Sequence, residues 1–196
     1  MQLILVRHGI PDNAHSRSVS NPALSEQGMS EARQTCARLA LEPIDAIYSS
    51  PLLRAVQTGQ PLADHLQMPI HELAEIGEVD NGVDVYVSPE AIRAAGEWDQ
   101  FLRDPIRYYG HDEGEFKSRV MAGFERILSE ASGRRIAVFT HGFPINILLS
   151  HVLKLPRITH FTPRNGSISR LAGKSLNALQ ILSVNETSHF ELEKAR

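Results

Sequence analysis

Two apolar runs that each end in His-Gly constrain this chain more than anything else in it. The first is Leu3-Ile4-Leu5-Val6 running into Arg7-His8-Gly9. The second is Ile136-Ala137-Val138-Phe139, leading through Thr140 into His141-Gly142. A short continuous apolar run bounded by a turn residue reads as a strand buried on both faces, the kind that builds parallel sheets. Open α/β sheets bind their ligands beyond the carboxyl ends of such strands. One strand-end histidine reads equally well as a packed or solvated loop residue. Two in the same setting put two imidazoles at one sheet edge.

A third strand, near Ile44-Asp45-Ala46-Ile47-Tyr48, leads through Ser49-Ser50-Pro51-Leu52-Leu53 to Arg54 in the first turn of the next helix. Ser50 is expected as that helix's N-cap and Pro51 as its first residue. Arg7, Arg54, His8 and His141 then meet in one crevice, an anion site that contains a nucleophile. Taken singly, Arg54 reads as an exposed helix residue, Arg7 as the partner of a surface carboxylate, and His141 as bonded to backbone. Only the joint pattern outweighs these plainer readings.

Around this edge the chain alternates strands and helices, which predicts an α/β three-layer sandwich. Residues 10–23 lack periodicity and read as a loop bordering the site. Ser25 is a plausible cap for a helix with Met29, Ala32, Cys36 and Leu39 inward. Gly59 and Pro61 predict a kink or break in the helix after Arg54. Residues 68–71 suggest a weak strand. A helix from Ser88-Pro89 would turn Ile92, Ala95, Trp98, Phe101 and Leu102 inward, and residues 103–110 read as loop. Asp112 and Glu115 have capping-box spacing ahead of Phe116, Val120, Phe124, Ile127 and Leu128. A helix with Ile145, Leu148, Leu149 and Val152 on one face follows the second His-Gly. Residues 167–171 and 178–184 predict a hairpin.

A length of 196 residues suits a single domain, 1–196, with a substantial core. The formal charge of -3 gives no reason to expect a nucleic-acid or membrane-surface partner. The lone Cys36 excludes an intrachain disulfide and reads as packing. There is no signal-peptide pattern at the start and no run near the ~20 apolar residues that span a bilayer, so a cytoplasmic protein is expected. Of nine histidines none shows His-Glu-x-x-His or another tight ligand spacing, and neither a metal nor another cofactor is expected. Nothing in the sequence speaks to oligomeric state.

The chain resembles the histidine phosphatase superfamily, also called phosphoglycerate-mutase-like. The matching segments are LVRHG (5–9), IYSSPLLRAVQT (47–58), LAEI (73–76), HDEGEF (111–116), THG (140–142) and NGSISRL (165–171), in family order across most of the chain. RHG alone is weak; RHG, SSPLLRA and a late THG together are specific. The resemblance implies a largely parallel sheet with helices on both faces. It implies that His8 is the phosphorylated residue, and that Arg7, Arg54 and His141 form the phosphate pocket. A neutral imidazole can attack phosphorus, and cations must balance the charge spread over the phosphoryl oxygens.

The leaving alkoxide needs a proton, so a carboxylic acid is expected near the scissile oxygen. Glu75 matches the family position, with Glu78 and Asp80 as close competitors. The chain departs from the family just there, reading Gly77-Glu78-Val79-Asp80-Asn81-Gly82 where many members have a Gly-acid-Trp-Glu-Gly-like run. Glu115 matches a family acid too, but its capping-box spacing gives it a structural role. Asn13 falls near a family phosphate-binding Asn without matching its spacing, and reads as a substrate-binding candidate or a turn residue. Trp98, Tyr108, Tyr109, Arg103 and Arg107 are either a selectivity cap or ordinary core and surface.

Three functions follow. The favoured one is a metal-independent phosphomonoesterase acting on a small phosphorylated substrate or a phosphoprotein through phosphohistidine. The second is a phosphoglycerate mutase. The third is a phosphate- or phosphoprotein-binding regulator with little turnover.

Overall fold

Strand β1 (Gln2–Arg7) forms the middle of the sheet because every residue from Leu3 to Val6 is buried. Its side chains alternate, Leu3 and Leu5 to one apolar cluster and Ile4 and Val6 to another, so helices must cover both faces. The computed structural model describes residues 1–12, 20–82, 87, 89–131 and 134–190.

The order along the chain is β1, α1 (Glu26–Leu39), β2 (Ala46–Ser49), α2 (Leu53–Leu66), β3 (Ile70–Glu72) and a 3-10 turn at Ala74–Ile76. Three short helices follow, α3 (Pro89–Ala94), α4 (Trp98–Arg103) and α5 (Pro105–Tyr108). Then come α6 (Glu113–Glu130), β4 (Arg135–Thr140), α7 (Gly142–Leu153), β5 (Ile168–Ala172) and β6 (Gln180–Glu186). The sheet order is β3-β2-β4-β1-β5-β6. Strands β3, β2, β4 and β1 are parallel to one another, whereas β5 and β6 add an antiparallel hairpin at one edge. Residues of α1 and α2 bury against one face with Ile47 and Phe139; residues of α6 and α7 bury against the other with Tyr48 and Val138. The expected three-layer α/β sandwich is the observed one.

The register matters most for function. Arg7 pairs with Thr140, so the two residues that follow, His8 and His141, leave the sheet side by side. Ser49 pairs with Phe139 in the next strand, so Ser50 leaves at the same edge.

Several local expectations are corrected. Helix α2 runs unbroken through Pro61 and begins after Leu52, not at Pro51. The Ser50 hydroxyl accepts the Leu52 N–H at 3.2 Å, which holds Ser50 and Pro51 in a turn outside the helix. An interior proline costs about 3 kcal/mol, and here burial of Leu62 and Ala63 offsets it. Gly59 serves packing, since a Cβ there would lie 2.9 Å from the Phe139 ring. The expected helix after Ser88 is two helices, parted at Gly96, whose φ of 73° is left-handed. Residues 105–108, expected as loop, form α5: Asp104 accepts the Arg107 N–H and Pro105 sits in the first turn.

Helix α1 begins as expected at Ser25, whose hydroxyl accepts the Gly28 N–H and donates to the Ile10 carbonyl. This seats the helix directly on the backbone that follows His8. A Cβ on Gly28 would lie 2.2 Å from the Ile10 carbonyl oxygen, a backbone atom that cannot turn aside. Gly28→Ala is therefore expected to lower the unfolding free energy by about 2–3 kcal/mol, read as a lower urea midpoint at unchanged slope. An unchanged midpoint would contradict the close approach.

Candidate active site

His8 is 3% exposed and its peptide is held from three sides. Its N–H donates to the Thr140 carbonyl on β4, its carbonyl accepts the Asn165 side-chain amide, and the following Gly9 N–H donates to Thr58 on α2. The ring Nδ1 lies 2.7 Å from the Gly9 carbonyl. A carbonyl only accepts, so Nδ1 carries the proton and Nε2 keeps its lone pair. Arg54 Nε donates to that Nε2 at 3.3 Å. Burial, then the charges of Arg54 and Arg7, hold the His8 pKa well below the ordinary imidazole value. The imidazole is neutral at neutral pH with one nitrogen bare, the state a nucleophile needs.

Arg54 is fully buried in the first turn of α2. Its Nη2 donates to both carboxylate oxygens of Asp80, at 2.8 and 2.9 Å. A buried guanidinium is costly unless paired, and Asp80 supplies that pairing. Burial pushes the Asp80 carboxyl up, against the pull of Arg54. Arg7 donates through Nη1 to the Pro163 carbonyl at 2.6 Å. His141 is fully buried with its ring centroid 5.0 Å from that of His8. Its Nε2 bonds the Ser50 hydroxyl at 2.8 Å, while its buried Nδ1 has no hydrogen bond among the described residues. Burial, then Arg54 and His8, keep His141 well below the ordinary imidazole pKa.

The acids divide by position. Glu75 does not line the pocket: Ile76 turns fully inward and gives its carbonyl to the Thr140 hydroxyl. Glu75 beside it lies over Gly123 on α6, its carboxylate 3.7 Å from Arg126. Arg119, also on α6, donates to the carbonyls of Ala74, Glu75 and Gly77 and so ties this turn down. The chain continues extended through Gly77 and brings Glu78 into the pocket. Glu78 accepts the Val79 and Phe143 N–H groups through separate oxygens. It retains some accessible surface, but protein atoms crowd the carboxylate. Burial, then repulsion from Asp80, push its pKa up to about 7. Glu115 sits at the start of α6, where its N–H is capped by Asp112. Asn13 lies outside the described residues.

The pocket is a cavity of about 150 Å³ with two unlike ends. Arg7, His8, Arg54, Glu78 and Asp80 line one; Trp98, Phe101, Tyr109, Phe143 and Phe161 line much of the other. Among the described residues no three His, Cys, Asp or Glu side chains group as metal ligands, and no helix is long and apolar enough to cross a membrane. Ser50, Thr58 and Asn165 escaped the sequence reading as site residues. Only their membership of the SSPLLRAVQT and NGSISRL segments pointed toward the site.

Known proteins share this sequence pattern and this fold. The chain is 25% identical over 199 residues to phosphoserine phosphatase 1 of Hydrogenobacter thermophilus, covering 96% of this chain and 94% of that one. It is 30% identical over 181 residues to the probable phosphoglycerate mutase GpmB of an Enterobacter species, covering 87% and 84%. Among solved structures, Bacillus stearothermophilus YhfR shares the fold with a TM-score of 0.81 at 20% identity, covering 97% of this chain and 99% of that one. Residues 3–187 match the histidine phosphatase superfamily (branch 1), and the chain belongs to that family.

Proposed function

We propose that this histidine phosphatase is a metal-independent phosphomonoesterase that works through a phosphohistidine on His8. The observation that carries the reading is the His8 ring itself, with Nδ1 tied to a carbonyl and Nε2 unprotonated, its lone pair turned to Arg54 Nε. Arg7 and Arg54 hold the phosphoryl oxygens by forked hydrogen bonds. The buried Nδ1 of His141 acquires its partner there, donating to a phosphoryl oxygen once the ring takes the matching tautomer through Ser50.

In the first half-reaction the Nε2 lone pair forms a bond to phosphorus as the ester P–O bond breaks. Glu78, protonated at about half occupancy near pH 7, gives its proton to the departing alkoxide. Glu78 replaces Glu75 as the proposed proton donor because it lines the pocket and Glu75 does not. In the second half, water attacks the phosphohistidine, Glu78 carboxylate takes a proton from that water, and the P–N bond breaks to release inorganic phosphate. Both partners return to their starting states.

The purified chain is expected to release phosphate steadily from a phosphomonoester, undiminished by chelator and without a bisphosphorylated primer. Rapid interconversion of phosphoglycerate isomers with negligible phosphate release would instead establish a mutase. Tight phosphate-ester binding without turnover would establish the regulator.

A further inference from the structure

The apolar end of the pocket is walled by a prepacked aromatic group. Phe101 on α4 is 6% exposed and stacks on Trp98 at 5.2 Å between centroids. It also meets Tyr109 at 6.3 Å and Phe143, on α7, at 6.2 Å. The Phe101–Phe143 contact docks α4 onto the start of α7, which makes the wall part of the folded helix layer.

Two polar side chains along this wall, Asn146 and Tyr109, are already engaged. Asn146 gives both amide hydrogens to the Gly142 and Phe161 carbonyls and accepts the Phe161 N–H. The Tyr109 hydroxyl donates to the Val87 carbonyl. The charged groups lining the cavity, among the described residues, are Arg7, Arg54, Glu78 and Asp80. Both cations are needed by the phosphoryl group. Among the described lining residues a carboxylate on the substrate's alcohol would thus face two carboxyl groups and no third cation, Arg93 being stacked on the Trp98 ring at 3.8 Å, and an unpaired charge is expensive to bury.

We propose that the alcohol released here is uncharged and apolar, unlike the carboxylate-bearing alcohols of phosphoserine and phosphoglycerate. The ring faces of Trp98, Phe101 and Tyr109 suit such an alcohol, while the polar end of the same cavity takes the phosphoryl group. The inference rests on the phosphomonoesterase reading above and adds the substrate class to it.

The test compares kcat/KM of the full chain for 2-phenylethyl phosphate, phosphoserine and 3-phosphoglycerate. All three leave as aliphatic alkoxides, so the comparison reads recognition more than leaving-group chemistry. The arylalkyl ester is expected to be favoured at least about tenfold. Trp98→Ala should narrow that ratio by slowing the arylalkyl ester. Leu102→Arg, at an exposed residue on the pocket lining, should narrow it by raising turnover of 3-phosphoglycerate. Phosphate release with equal or reversed preference overturns the substrate class and leaves the phosphomonoesterase standing. No phosphate release from any ester, with no label on His8, overturns both.

Discussion

His8→Ala is expected to reduce phosphate release from every ester by ~10⁴-fold or more, because the variant keeps the cations but has no atom to accept the phosphoryl group. Brief reaction of the unaltered protein with ³²P-labelled substrate, quenched in alkali where a phosphoramidate survives, should leave label on His8. The variant should take up none. Unchanged far-ultraviolet circular dichroism would separate lost chemistry from lost fold. Full activity in His8→Ala, or label on another residue, would remove His8 from its role.

Glu78→Gln should slow an alkyl phosphate ~10²- to 10³-fold and an activated aryl phosphate far less, since a phenolate leaves without a proton. Glu75→Gln should be mild with both. The selective loss appearing in Glu75→Gln instead would return the acid to the family position. The pH dependence has a definite sign. kcat/KM reports the free enzyme, where His8 is held well below the usual imidazole range and Glu78 lies at about 7. For an alkyl ester kcat/KM should be level at mildly acidic pH and fall about tenfold per unit above pH 7. In Glu78→Gln that basic limb should vanish.

Stability carries the same signature. The folded-state pKa of Glu78 is raised above its unfolded value near 4.5, so folding retains a proton that the unfolded chain loses between pH 4.5 and 7. Its carboxylate therefore destabilises the fold progressively through that window, by up to about 3 kcal/mol above it. Glu78→Gln should gain on the unaltered protein as pH rises from 4 to 8, less whatever an N–H of Val79 or Phe143 loses when one carboxylate oxygen becomes an amide. A stability difference independent of pH would show that Glu78 is not held protonated.

What the sequence alone determined was the sheet edge. Four apolar residues before Arg7-His8 and four before Thr140-His141 read as buried strands, and parallel strands present their carboxyl ends together. The fold class and the meeting of His8, Arg7, Arg54 and His141 follow from that pattern and from the family motifs. The tertiary structure decided the rest. Helix α2 continues through Pro61 because packing against Phe139 outweighs a local propensity. Residues 105–108 form a helix because Asp104 and Pro105 start one, a cue that a short window hides. The acid shows the limit most clearly. Glu75, Glu78 and Asp80 lie within six residues, too close for spacing to separate them. Direction separates them: Gly123 lets the 3-10 turn settle on α6 and Arg119 fixes it there, with Glu75 toward Arg126, Glu78 in the pocket and Asp80 on Arg54. Which way a side chain points after a turn depends on what the turn packs against, and that partner lies more than forty residues away in the chain.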